Sequence, residues 1–228
     1  MPSSKSTSLG VSKSALTKLF DKFASTSSNP DTLDVAATQK YFEAIGVDIE
    51  DISSFIVAEI VKCPSMGEIT RAGFTTGWSD VGCDTLDKQK RAVQTRRSKL
   101  TSDLALRHTV YMFAFNLFLT ETSQKSVEKD TAIELWKMLL SPPAFNWKTT
   151  NNDWLAMWLE FLSQSSAKGV NKDLWNQTMS FAVETLKDES LRWWDENSAW
   201  PALIDEFVEW VKKKRNDTRG VEDEEMEY

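Results

Sequence analysis

Apolar residues recur at intervals of three and four positions along most of the chain, which is the spacing of one face of an α-helix. In the first such stretch these positions are Leu16, Leu19, Phe20 and Phe23, and a segment rich in Ser, Asn and Pro ends it. No segment of the second half alternates apolar and polar residues for long enough to predict a strand. The pattern therefore predicts an all-α fold with two helical lobes.

The N-terminal lobe is predicted over residues 14–83. The Ser-rich residues 1–13 before it contain few apolar side chains to offset the entropy of ordering, so we expect them to be disordered. Helix start and stop signals divide the lobe into further helices. They are Asp34 and Gly46 for the second helix, Asp48 or Asp51 as the N-cap of the third, and Thr70 to Trp78 for the fourth.

Pairs of short helices joined by loops of this length resemble the helix-loop-helix arrangement of EF-hands. A calcium loop needs about five oxygen-bearing positions, a Gly at the sixth position and a bidentate Glu at the twelfth. Neither STSSNPDTLDVA nor GWSDVGCDTLDK supplies that pattern. We therefore expect an EF-hand-like lobe without calcium ligands.

A basic helix is predicted to connect the lobes over residues 84–102. It contains six basic residues between positions 84 and 99 but no aromatic base readers, which favours a solvated face over a nucleic-acid site. The C-terminal lobe follows over residues 103–215 and ends before an acidic tail, residues 216–228, that we expect to be disordered. Its helices are predicted over residues 103–119, 129–140, 153–163, 173–186 and 199–214, with a stop at the SPP of 141–143.

The charge balance changes the list of plausible partners. The chain has 34 acidic and 27 basic residues and a net charge of −7, but five of the acids lie in the last eight residues, which leaves −2 for the rest. Neither nucleic acid nor a membrane surface is expected as a partner. All ten Trp lie from Trp78 onward, and we expect most of them in the core because each buries a large area.

Residues able to do chemistry are scarce. One histidine, His108, and two cysteines, Cys63 and Cys83, cannot form a structural zinc site or a disulfide framework, and no Gly-rich phosphate loop occurs. No charged-then-apolar leader opens the chain, and the longest near-apolar run, Val110 to Leu119, is half a membrane span. We expect an intracellular binding or scaffolding protein with no catalytic residues, no metal and no cofactor.

Two acids, Asp173 and Asp205, lie near predicted helix N-termini, where the helix dipole favours a carboxylate. Taken locally, Asp173 is also consistent with a plain N-cap and Asp205 with an ordinary solvated acid. If the fold brought them together around the small Ala199, they would form an anionic dock for Lys or Arg.

At these positions the chain closely resembles the defective-in-cullin-neddylation family, whose helical core is called the potentiating-neddylation domain. The most specific match is AWPALIDEFVEW together with the upstream KDLWN. Supporting matches are MGEITRAGFTTGW, GCDT, FAFNLF and AIELWKMLL. They occur in the family's order and cover residues 14–211, so the domain is expected over 14–215.

The resemblance implies a non-catalytic scaffold ligase that holds a cullin C-terminal domain and the neddylation conjugating enzyme together. The family's Asp-Ala-Asp cullin-binding patch falls on Asp173, Ala199 and Asp205. The family also has an apolar pocket for the acetylated N-terminal methionine of the conjugating enzyme. By position, its wall includes Val35, Val57, Ala58, Val61, Ile69, Leu117 and Met138, for which plain inter-helix core is the alternative.

The chain departs from some relatives because only the short Ser-rich stretch stands where they have a ubiquitin-binding helical module. We expect a monomer in the cytoplasm and nucleus, with the basic run at Lys212 to Arg215 as a weak aid to nuclear entry. The competing interpretation is an EF-hand-like helical adaptor for an unrelated peptide, with no role in conjugation.

Overall fold

The computed structural model describes residues 11–24, 27, 29–119, 123–195 and 198–225, with side chains described as far as residue 216. Within them the chain forms ten α-helices and four strands of two or three residues. The predicted all-α class is confirmed, and the EF-hand-like detail stays a prediction. The chain divides into two compact units, residues 1–120 and 121–228. No helix of the described part is long and apolar enough to cross a membrane.

The first unit contains six helices and one two-stranded antiparallel ribbon. Its ribbon pairs Leu33 with Ile69, so it joins the loop before the second helix to the loop before the fourth. In chain order the elements are α1 (Lys13–Ala24), β1 (Thr32–Leu33), α2 (Val35–Ile45), α3 (Ser53–Val61), β2 (Ile69–Thr70), α4 (Arg71–Asp80), α5 (Leu86–Lys99) and α6 (Leu104–Leu117).

Side-chain caps fix where the helices of this unit begin. The carboxylate of Asp34 accepts the Ala37 N–H at 3.0 Å, and the hydroxyl of Thr70 accepts the Gly73 N–H at 3.1 Å. Each cap satisfies a backbone donor that has no partner inside its helix. At the other end of α2, Gly46 has a φ of 68° and so ends the helix as predicted.

Helices α3 and α4 approach each other closely. Gly77 of α4 lies against the backbone of α3, where a Cβ would overlap the carbonyl oxygen of Ile60, and Gly73 lies in the same way against Val61. The edges and faces of Phe20, Tyr41 and Phe74 fill the core beside this contact, with ring centroids 5.2–5.5 Å apart.

The two units do not divide as the predicted lobes do. Both α5 and α6 belong to the first unit, which ends near residue 120 rather than 83. The physical reason is that α5 is more than a solvated connector. Its buried Gln89 accepts a 2.9 Å hydrogen bond from the Tyr41 hydroxyl, and Val93 is also buried.

The second unit contains four helices and a second antiparallel ribbon, in which Val127 pairs with Val170. These short strands were not predicted, because two or three residues are too few to show an alternating pattern. The elements are β3 (Ser126–Glu128), α7 (Lys129–Leu139), α8 (Trp154–Gln164), β4 (Gly169–Asn171), α9 (Lys172–Lys187) and α10 (Ala202–Glu225).

Tryptophan rings form the core of the second unit. Trp136 of α7 stacks on Trp175 of α9 at 5.2 Å and contacts Trp158 of α8 edge-on at 5.5 Å, and Trp158 in turn contacts Phe207 of α10 at 5.0 Å. These rings join all four helices. Six of the ten Trp are fully buried, so the prediction that most Trp are core is confirmed: Trp78, Trp136, Trp147, Trp154, Trp158 and Trp175.

The chain ends differ from the prediction. Residues 1–10 lie outside the described part, and α1 begins at Lys13, where the Ser12 hydroxyl accepts the Ala15 N–H at 3.1 Å. The last helix begins at Ala202 rather than 199 and continues to Glu225, so residues 216–225 of the expected disordered tail are helical. Once a helix is formed, each added residue gains a hydrogen bond, and no proline interrupts this stretch.

Candidate functional site

Asp173 presents a carboxylate at the start of α9. The N-cap is Asn171, whose side chain accepts the Leu174 N–H at 2.8 Å, so Asp173 is not needed as the cap. Asp173 is exposed, and among the described residues no hydrogen bond or ion pair engages its side chain. The local alternative of a plain N-cap is therefore wrong, and the carboxylate is available to a partner.

Asp205 lies in the first turn of α10 and is half-buried. Its Oδ1 accepts a 3.0 Å hydrogen bond from Nε1 of Trp194, eleven residues earlier in the chain. The backbone N–H of Asp205 donates to the carbonyl oxygen of Pro201 at 3.3 Å as the helix begins. The side chain is thus held by a neutral donor and has no ion pair among the described residues.

Both acids point away from the aromatic core of the unit. Asp173 precedes the buried Trp175 by two residues, and Asp205 precedes the buried Phe207 by two. Two residues correspond to a rotation of about 200° around a helix, so each acid lies nearly opposite the core ring. This arrangement leaves the acids on the solvent side while the rings fix their helices.

The helices that hold the two acids pack against each other. Phe181 of α9 lies 5.8 Å from Phe207 of α10 and 5.9 Å from Trp200, measured between ring centroids. Ala199 is exposed in the turn just before Trp200. The three predicted patch residues therefore sit on two packed helices and the turn that leads into the second helix.

The electrostatics of this surface suit a cationic guest. Each acid lies in the first turn of its helix, where the backbone dipole stabilises negative charge by roughly 0.3–1 kcal/mol. The exposed Glu206 and Glu209 add negative charge on α10. Lysine or arginine of a partner could donate charge-assisted hydrogen bonds to these carboxylates.

Most of the predicted pocket residues are core. Five of them are at most 5% exposed and lie in α3, β2 and α6: Val57, Ala58, Val61, Ile69 and Leu117. Val35 is different, since 63% of it is exposed at the first position of α2. Met138 is half-buried in α7 and belongs to the second unit. The role of this set in binding stays a prediction.

A cavity of about 300 Å³ opens beside Val35 in the first unit. It is formed by the loops on either side of the β1–β2 ribbon, and its apolar surface comes from Val35 and Met66. Its lining is Ser27, Asn29, Thr32, Asp34, Val35, Ser65, Met66, Gly67 and Glu68. The sequence identified Val35 but not the others as pocket residues, because the lining comes from two loop segments, 27–35 and 65–68, and their meeting in the fold gives no periodic signal.

Neither cysteine is suited to nucleophilic chemistry. Burial raises the pKa of the Cys63 thiol to about 12, and burial also raises the pKa of Cys83 above its ordinary value. A thiol with a raised pKa is protonated at neutral pH, whereas the thiolate is the nucleophile.

Comparison with known proteins gives consistent matches over most of the chain. A family model described as "Cullin binding" matches residues 88–210. The chain is 32% identical over 214 residues to "Defective in cullin neddylation protein 1" of Pyricularia oryzae, which covers 89% of this chain and 76% of that protein. The protein of the same name from Yarrowia lipolytica is 32% identical over 203 residues, covering 89% and 80%. "DCN1-like protein 5" of Homo sapiens is 31% identical over 179 residues, covering 78% and 70%.

Proposed function

Because this chain belongs to the defective-in-cullin-neddylation family, we propose that it is a scaffold that binds a cullin and the neddylation conjugating enzyme at the same time. Family membership gives the chain a role in cullin neddylation. The further proposal concerns how it acts: it contributes no catalytic group, and it promotes transfer of the modifier by holding the two partners together.

The observation that carries the cullin side is the free carboxylate of Asp173 together with the fixed carboxylate of Asp205. The first has no internal partner in the described part of the chain, and the second accepts only the neutral indole N–H of Trp194 there. Lysine and arginine side chains of a cullin C-terminal domain would pair with both. In this proposal the exposed Ala199 has a side chain small enough to let the partner approach closely.

The conjugating-enzyme side rests on the cavity beside Val35. A volume of about 300 Å³ is at the lower end of the range for ligand pockets, which is roughly 300–1,000 Å³. Such a cavity fits one acetylated methionine rather than a long peptide. The acetyl cap removes the positive charge of the free N-terminus, and burying that charge without a partner would be costly. Val35 is the one predicted pocket residue in the described lining of this cavity, whereas Val57, Ala58 and Val61 are buried outside that lining.

Holding two partners at once raises the rate without any acid, base or metal on this chain. Two sites linked on one molecule convert a bimolecular encounter into a nearly intramolecular one, with effective concentrations on the order of mM for flexible tethers. Correct orientation of the reacting groups adds to this effect. In this mechanism the thioester and its cysteine belong to the conjugating enzyme.

A reconstituted neddylation reaction tests the proposal. The reaction would contain a cullin C-terminal domain and the charged conjugating enzyme, with and without this protein. We expect faster modification of the cullin when the protein is present and a smaller stimulation when the conjugating enzyme is unacetylated. Equal rates with and without the protein would overturn the scaffold function. Equal stimulation of both forms of the enzyme would overturn only the acetyl-methionine site.

A further inference from the structure

The indole of Trp194 lies along one face of α10 and contacts two side chains of opposite charge. Its Nε1 donates to Oδ1 of Asp205 at 3.0 Å. The ammonium nitrogen of Lys212 lies 4.1 Å from the centroid of its ring. Asp205 and Lys212 are seven residues apart, or about two helical turns, so they share a face of the helix. One ring therefore engages both an acid and a base of this face.

The hydrogen bond orients the acid without neutralising it. An indole nitrogen is a donor only, so it cannot take the place of a cation or give up its proton to the carboxylate. Oδ2 of Asp205 accepts no hydrogen bond from the described residues. One carboxylate oxygen is therefore anchored by the indole, and the other is ready for a guest.

The same ring also engages Lys212, which would otherwise compete with a partner for the Asp205 carboxylate. Lys212 is a cation on the face of α10 that carries Asp205, and an ion pair between the two would occupy the carboxylate. Instead, its Nζ lies over the Trp194 ring and donates to Oε1 of Glu209 at 2.9 Å. The negative face of an aromatic ring attracts a cation. Lys212 thus has two partners other than Asp205.

We propose that Trp194 is a positioning residue for Asp205. It fixes the carboxylate in one orientation and keeps Lys212 in contact with the ring. A cationic partner would therefore bind a carboxylate whose orientation is already fixed. Ordering before binding lowers the entropy lost on association. This inference rests on the proposed role of Asp205 in cullin binding.

A double-mutant cycle tests the inference on the full chain. The variants are Trp194→Phe, Asp205→Asn and the double variant, and the measurement is the Kd for a cullin C-terminal domain by isothermal titration calorimetry. Trp194→Phe keeps an aromatic ring and loses the N–H. We expect it to weaken binding about three- to tenfold, the effect of one hydrogen bond, when Asp205 is present. In the Asp205→Asn background we expect less than about a twofold effect, because the charge that Trp194 positions is then gone.

The neighbouring Trp193 supplies a matched control. Its Nε1 donates at 2.8 Å to the backbone carbonyl oxygen of Asp188, not to Asp205. Trp193→Phe therefore removes a similar bond from the same segment, and we expect the Kd to stay within about twofold in either background. Loss of binding in Trp193→Phe equal to that in Trp194→Phe would mean that the segment matters only structurally, and would overturn the inference.

The outcomes separate the two proposals. If Asp205→Asn weakens binding but Trp194→Phe does not, or weakens it equally in both backgrounds, the positioning role is wrong and the patch stands. If Asp205→Asn leaves the Kd unchanged, both are wrong. If Trp194→Phe does not fold, a measurement that needs neither this variant nor the cullin tests the contact. The indole N–H signal of Trp194 in an NMR spectrum should shift in Asp205→Asn. An unchanged signal would overturn the contact itself.

Discussion

The indole N–H of Trp147 donates a 2.8 Å hydrogen bond to the hydroxyl of Thr185, 38 residues later, and both side chains are at most 1% exposed. The Thr185 hydroxyl in turn donates a hydrogen bond to the carbonyl oxygen of Ala182 at 2.9 Å. The buried Thr185 hydroxyl therefore both accepts and donates a hydrogen bond inside an aromatic core. This bond ties the loop before α8 to α9, the helix that carries Asp173 in its first turn.

Replacing Thr185 with valine should remove this bond and destabilise the protein. The shapes match, but the Trp147 N–H is left buried without an acceptor, which costs roughly 1–3 kcal/mol. We expect that loss in the free energy of unfolding measured with urea. Thr178→Val is the control on the same helix, because its buried hydroxyl donates to the backbone carbonyl of Leu174 and, among the described residues, accepts no indole N–H. An equal loss in both variants would contradict the assignment.

Gly77→Ala should destabilise the first unit. The added methyl group would overlap the carbonyl oxygen of Ile60, a backbone atom that cannot move without separating α3 from α4. Overpacking of this kind costs typically about 1–3 kcal/mol. A lower melting temperature by calorimetry is the expected result, whereas Thr76→Ala, an exposed change on the same helix, should leave it nearly unchanged. A Gly77→Ala protein as stable as the natural chain would refute the close approach.

An ion pair between Asp51 and Arg97 links the start of α3 to α5. Nε of Arg97 lies 3.0 Å from Oδ1 of Asp51, and the guanidinium also donates to Oδ2 at 2.9 Å. The Asp51 carboxylate accepts the Ser53 N–H as well, at 2.9 Å. The hydrogen bonds from Arg97, followed by those from Ser53, lower the pKa of Asp51 from 3.8 to about 2.

This lowered pKa predicts a defined acid dependence of stability. A carboxyl group with a lower pKa in the folded state stabilises the fold at pH values above its unfolded pKa. The contribution falls as the pH drops below 3.8 and is lost below about 2. The natural chain should therefore be more stable than Asp51→Asn at pH 6, and the difference should vanish near pH 2. Urea unfolding over this pH range checks it.

The control for the acid dependence is Asp80→Asn. Asp80 is exposed, and no ion pair engages it among the described residues. The difference in free energy of unfolding between Asp80→Asn and the natural chain should not change between pH 4 and 2 as it does for Asp51→Asn. A pH-independent gap for Asp51→Asn would mean that the Asp51 side chain acts through packing rather than through its charge.

The helices were predictable because their signals are local. Caps such as Asp34, the stop at Gly46 and the apolar stripe of Leu203, Ile204 and Phe207 lie within a few residues of what they control. The boundary between the units was not predictable in this way. It depends on contacts such as that between Tyr41 and Gln89, which are 48 residues apart, and a single sequence carries no pattern that pairs them.

The candidate site was predictable only in part for the same reason. Asp173, Ala199 and Asp205 were identified by their resemblance to a family motif, and their local surroundings alone left Asp173 open to interpretation as an N-cap. The indole bond from Trp194 to Asp205 gave no sequence signal, since it forms across an irregular segment. Loop-borne contacts of this kind have neither the helical nor the strand period.

Charge reversal at Asp173 gives the most direct test of the proposed cullin-binding patch. Asp173→Lys should leave the melting temperature nearly unchanged, since the side chain is exposed and α9 is capped by Asn171. It should weaken binding of a cullin C-terminal domain by about 10-fold or more, because an attractive pair becomes a repulsive one. Glu206→Lys makes the same change in charge at an exposed position of α10 outside the patch. Calorimetric titration at low and high salt should show a large loss for the first variant and a small, salt-screened loss for the second. Equal losses at low salt that both disappear at high salt would mean that only the overall negative field of this surface attracts the cullin.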